Sequence, residues 1–170
     1  MKALLLGLLV GVAACGPAFA ATPGEVGIGS VLREAPMQGL LGPSRKLSEY
    51  RGKPLIINVW ASYCGPCREE MGSLQRLAWR YGGQQFNIIG ISTDDYVDRA
   101  QLFLKTTNTS GFANYIDQQL VLENMLGANR LPTTLLVDAK GKVLARFVGG
   151  RQWDSPESLG VIARTFGLRL

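Results

Sequence analysis

The stretch Trp60-Ala61-Ser62-Tyr63-Cys64-Gly65-Pro66-Cys67-Arg68-Glu69-Glu70-Met71 sets two cysteines three positions apart, in a chain of 170 residues with three cysteines and no histidine. Pairs at this spacing serve as metal ligands, structural staples or working redox couples, so the motif by itself leaves all three roles open. Its flanks narrow the choice. Upstream, Leu55-Ile56-Ile57-Asn58-Val59-Trp60 is a β-rich apolar run of the kind found in strands buried on both faces. Downstream, Met71, Leu74, Ala78 and Tyr81 recur at helical steps with charges between them, and Gly82-Gly83 closes the segment. The pair is thus expected where a strand ending at Ser62 gives way to a helix beginning near Cys64.

Further along, Phe86-Asn87-Ile88-Ile89-Gly90-Ile91-Ser92 reads as a second buried strand, followed by an acidic turn at Asp94-Asp95 and an amphipathic helix to about Lys105. Strands joined through helices predict a parallel sheet with right-handed crossovers. Leu120 to Leu126 reads as helical. Thr133–Asp138 and Val143–Val148 then form a β-hairpin through Ala139-Lys140-Gly141-Lys142. A terminal helix follows, with Asp154 and Glu157 as its expected capping box and Leu159, Ile162, Ala163 and Phe166 on its apolar face.

The chain is long enough for one ordinary core. Its first residues combine Lys2, an apolar run from Ala3 to Ala14, and the pair Gly16-Pro17 before Ala18-Phe19-Ala20, which reads as a secretory signal over residues 1–20. The run is shorter than the roughly 20 residues of a spanning helix. Val12-Ala13-Ala14-Cys15 also resembles a lipobox, so membrane contact is expected only if Cys15 is lipidated. The spacing of the Ala-x-Ala site from the apolar run favours cleavage after Ala20. A Gly/Pro/Ser-rich extension (21–43) leads into the domain proper (44–170). Removing residues 1–20 takes away one lysine and no acid, lowering the formal charge from +5 to +4. Basic residues are scattered singly, so no nucleic-acid partner is expected.

A structural zinc site needs four ligands, and the exported chain offers two thiols and no imidazole, so no metal is expected. The missing histidine also argues against a copper carrier with a Cys-Cys-His site. A structural disulfide suits an oxidising compartment, yet a loop this short is a poor staple. A helix N-terminus, by contrast, stabilises a thiolate at Cys64, Pro66 suits the first turn, and Gly65 leaves room for a partner. The balance favours a redox couple.

The motif resembles the thioredoxin active site, and Arg68-Glu69-Glu70-Met71 resembles the extracytoplasmic TlpA-like branch of that superfamily. Leu131-Pro132-Thr133-Thr134 is similar to the family's cis-proline loop, and Arg51-Gly52-Lys53-Pro54 to its run into the first core strand. The resemblance implies an α/β thioredoxin fold, a central mixed β-sheet flanked by helices, with a short N-terminal extension. It implies Cys64 as nucleophile, Cys67 as buried resolving thiol, and a substrate groove shaped by Tyr63, Gly65, Pro66, Leu131 and Pro132. Ordinary thioredoxins carry a buried aspartate six residues before the first cysteine. Asn58 stands there in this chain and cannot titrate. The TlpA-like branch has a glutamate three residues after the second cysteine, which is Glu70, the expected proton acceptor. Gly72 departs from the proline often found there and suggests a looser bend.

These features imply a periplasmic thiol:disulfide oxidoreductase whose only redox group is the Cys64–Cys67 disulfide. It is expected to reduce protein disulfides, apocytochrome c among them, with electrons from a membrane-embedded donor. An oxidant or isomerase, and a non-catalytic chaperone with a structural disulfide, are the alternatives. Neither cysteine sits in the Pro-x-x-x-Thr-x-x-Cys setting of peroxidases.

Overall fold

The computed structural model describes residues 24–170; the expected signal segment, with Cys15 and the expected cleavage site at Ala18–Ala20, lies outside them. Seven strands form one mixed sheet: β1 (Pro36–Gly39), β2 (Arg45–Lys46), β3 (Leu55–Trp60), β4 (Asn87–Ser92), β5 (Ala113–Ile116), β6 (Thr133–Val137) and β7 (Val143–Val148). Their order is β2-β1-β5-β4-β3-β6-β7, with β3, β4 and β5 parallel and the remaining pairings antiparallel. Helix α1 (Gly65–Tyr81) connects β3 to β4, and α2 (Val97–Thr106) connects β4 to β5. Helices α3 (Val121–Leu126) and α4 (Pro156–Phe166) complete the flanking layers. This is the mixed, helix-flanked sheet expected from the sequence. Among the described residues no helix is long and apolar enough to cross a membrane.

Strand β3 is buried along its whole length because both of its faces are covered. Successive side chains alternate between faces. Ile56 and Trp60 enter the core cluster containing Met71, Leu74, Phe103 and Ile162, from α1, α2 and α4. Ile57 and Val59 enter the opposite cluster, with Ile89, Tyr115, Leu122 and Leu135. Val26, Leu32 and Met37, from the extension, belong to that second cluster. Asn58 shares the Ile56–Trp60 face, which aims its amide towards α1.

The structure corrects three local readings. Strand β3 ends at Trp60 rather than Ser62, and Ser62 belongs to the turn into α1. The N-cap of α4 is Ser155, whose hydroxyl accepts the Ser158 N–H at 3.2 Å. Asp154 instead forms a two-point pair with Arg76 at 2.5 and 3.2 Å, tying α4 to α1.

Strand β5 is the third, and nothing in the sequence announces it: it has four residues, one of them the polar Asn114. Asn114 faces Gly90 across the β4–β5 ladder and accepts the Trp60 indole N–H at 3.1 Å. A β-carbon at Gly90 would lie 2.0 Å from Asn114 Oδ1 and 2.7 Å from Trp60 Nε1. Gly90→Ala is therefore expected to cost roughly 2–3 kcal/mol, read as a lower urea midpoint at unchanged slope. An unchanged midpoint would show that the Trp60–Asn114 contact gives way freely.

Candidate active site

Cys64 and Cys67 meet in a disulfide, with Cα atoms 5.3 Å apart. Cys64 is the N-cap of α1, in extended backbone conformation, and its sulfur accepts the Cys67 backbone N–H at 3.2 Å. Pro66 occupies the first turn, where the missing N–H is not needed. The two sulfurs differ in access: Cys64 retains 9% exposure and Cys67 none. Only Cys64 is placed for a partner to reach, and the helix N-terminus stabilises negative charge on it.

The loop before Cys64 is fastened to the end of β4. The Asp94 carboxylate accepts the Ser62 N–H at 2.9 Å, the Ser62 hydroxyl at 2.5 Å and the Ser92 hydroxyl at 2.7 Å. In sequence, Asp94 read as part of an acidic turn. Buried and hydrogen-bonded to Ser62, it orders the turn that leads to Cys64.

Tyr63 is 76% exposed, and Gly65 and Pro66 are exposed beside it. The Leu131–Pro132 peptide is cis. Leu131 packs on the cluster that contains both cysteines, while Pro132 is buried and its carbonyl accepts the Gly149 N–H at 2.8 Å. Trp60 lies wholly in the core, stacked on Phe103 at 4.8 Å.

Glu70 lies one turn beyond Cys67 on α1, so the two side chains share a helix face. It is a core residue, only 1% exposed. Three donors meet its carboxyl: the Asn58 amide at 2.7 Å on Oε1, and the Arg151 backbone N–H and Trp153 indole N–H, each at 3.1 Å, on Oε2. Burial pushes its pKa up from 4.5 to about 7, against these hydrogen bonds, which favour the ionised form. The same Asn58 amide donates to Thr134 Oγ1 at 2.9 Å, and Thr134 is its register partner on β6. A chain of polar contacts thus joins α1, β3 and the strand that follows cis-Pro132. Asn58 Oδ1 has no partner in this arrangement, so rotation of the amide would offer an acceptor to a protonated Glu70. The sequence reading pairs Glu70 with neither Trp153 nor Arg151, because those partners lie 83 and 81 residues away.

A buried disulfide with one accessible sulfur, beside a carboxyl that titrates near neutrality, suits thiol–disulfide exchange. Comparison with known proteins agrees. Residues 28–146 match the AhpC/TSA family model. Over 130 residues the chain is 32% identical to the thiol-disulfide oxidoreductase ResA of Halalkalibacterium halodurans, covering 76% of this chain and 70% of that one. It is 30% identical over 132 residues to the thiol:disulfide interchange protein DsbE of Vibrio cholerae, covering 75% and 70%. A DsbE-type crystal structure from Chlorobium tepidum superposes with a TM-score of 0.75 at 26% identity, over 83% of this chain and 99% of that one. The chain belongs to the AhpC/TSA family, as one of its thioredoxin-like thiol-disulfide oxidoreductases.

Proposed function

We propose that this enzyme is an exported, periplasmic reductant of protein disulfides, with oxidised apocytochrome c among its substrates. The observation that carries the reading is the placement of Glu70: a buried carboxyl one helical turn from the inaccessible Cys67. In the reduced enzyme, the Cys64 thiolate attacks a client disulfide, whose S–S bond breaks as a Cys64–client bond forms. The departing client sulfur takes up a proton. Cys67 then gives its proton to the Glu70 carboxylate and attacks the Cys64 sulfur; the Cys64–client bond breaks, and the second client sulfur leaves as a thiolate that takes up a proton. Two electrons pass from the cysteine pair to the client, leaving the Cys64–Cys67 disulfide. Tyr63, Gly65, Pro66 and Leu131 form the surface on which the client chain lies, shaped from beneath by the buried cis-Pro132, and no further cofactor enters the cycle.

Reducing equivalents must come from a membrane-embedded dithiol donor, because the periplasm is kept oxidising. The Gly65-Pro66 dipeptide between the cysteines supports the reducing direction by its resemblance to low-potential thioredoxins. Signal cleavage after Ala20 would release the enzyme, and lipidation of Cys15 would tether it.

A Cys67→Ser variant tests this reading. Mixed with purified apocytochrome c in its disulfide form, it is expected to accumulate a Cys64-linked adduct that dithiothreitol releases. Binding without a covalent adduct would instead indicate a chaperone.

A further inference from the structure

We propose that Trp153 is a positioning residue for exchange: together with the Arg151 backbone N–H, its indole clamps one oxygen of Glu70 and holds the carboxyl ready to receive the Cys67 proton. The proposal rests on the reading of Glu70 as proton acceptor.

Trp153 is fully buried between β7 and α4, and its indole N–H and the Arg151 N–H converge on Glu70 Oε2 at 3.1 Å each. The indole is itself held in place. Its backbone N–H donates to Ser73 Oγ at 2.9 Å, and that hydroxyl donates to the Glu70 carbonyl at 2.7 Å, closing a ring of contacts on α1. Phe147 meets the indole edge-on at 5.8 Å, and the Arg151 guanidinium lies 4.9 Å above Phe147 and 5.7 Å above Trp153.

The clamp also borders the redox turn. A cleft of about 210 Å³, lined by Pro66, Glu69, Glu70, Gly150, Arg151 and Gln152, opens beside the carboxyl. A β-carbon at Gly150 would come within 3.1 Å of the Pro66 carbonyl oxygen, so this loop lies directly against the turn between the cysteines. The cleft gives a proton taken from Cys67 a route to water.

The other groups around Glu70 leave this role to Trp153. Glu69, and Cys67 once the disulfide is reduced, are its titratable neighbours on α1, while Asn58 and Thr134 on the sheet side are neutral. Arg151 directs its guanidinium over the two rings and pairs with Glu157 at 3.9 Å. Each N–H on the carboxylate favours its ionised form, so losing the indole donor should raise the pH at which Glu70 ionises. Arg151 and Trp153 both lie beyond residue 146, where the family match ends.

The test follows the Glu70 carboxyl carbon by NMR during pH titration of the ¹³C-glutamate-labelled protein, assigned with Glu70→Gln, alongside the pH profile of disulfide exchange. Trp153→Phe is expected to raise the Glu70 midpoint by about one pH unit, as for loss of one hydrogen bond to a charged group. The alkaline-going limb of the exchange profile should move with it. Because Trp153 is a core residue, Ser73→Ala serves as a milder variant that frees the Trp153 backbone; it should shift the midpoint in the same direction by less. A midpoint unmoved in both variants overturns the clamp. A midpoint raised by Trp153→Phe, with an exchange profile that Glu70→Gln leaves unchanged, upholds the clamp and overturns the assignment of Glu70 as proton acceptor.

Discussion

Glu70→Gln is expected to slow resolution of the mixed disulfide about 100-fold at pH 7, the lower range for loss of a general base, while leaving its formation nearly unchanged. The two steps separate because Cys64 is activated by its place at the N-terminus of α1, whereas Cys67 is sealed from solvent and needs an internal acceptor. Glutamine keeps the volume of Glu70, and the unpartnered Asn58 Oδ1 can accept its amide N–H, so the site should stay folded. Rapid-quench alkylation with a client disulfide would resolve both steps. Equal slowing of both would place Glu70 in client binding, and no slowing would remove it from the chemistry.

The same carboxyl should leave a large mark on stability. Burial raises its pKa in the folded protein from 4.5 to about 7, so the native state holds the proton more tightly than the unfolded chain. The stabilisation is therefore fully present below pH 4.5 and is lost as pH rises through about 7. The difference between the two values corresponds to about 3 kcal/mol. Urea unfolding of the oxidised protein at pH 5 and pH 8 should show this loss in the parent, and Glu70→Gln should lack it. Equal pH dependence in the two proteins would mean that Glu70 titrates at an ordinary value. A buried carboxyl of this kind weakens the fold as it ionises, and its three donors offset part of that cost.

Much of this was legible in the sequence, because the decisive signals are local. The strand Leu55–Trp60, the cysteine pair and the helical spacing of Met71, Leu74 and Ala78 lie within thirty residues of each other. The β6–β7 hairpin was legible for the same reason. Family resemblance nominated Glu70, but its burial depends on Trp153 and Arg151, which arrive from the far side of the hairpin. Strand β5 escaped notice because four residues around a polar Asn114 carry no usable period, and the pairing with Gly90 and Trp60 is tertiary. At α4, Asp154 and Ser155 are adjacent and both good caps. The choice fell to Ser155 because Arg76, on another helix, takes Asp154.

The measurement that bears most directly on a reducing Cys64–Cys67 couple is its equilibrium reduction potential. It can be read by thiol-alkylation mass shift across a graded dithiol buffer at pH 7. A reductant fed from the membrane should give a value near that of thioredoxin, about −270 mV. A value near −120 mV, that of a strong disulfide donor, would contradict the account and make the enzyme an oxidant.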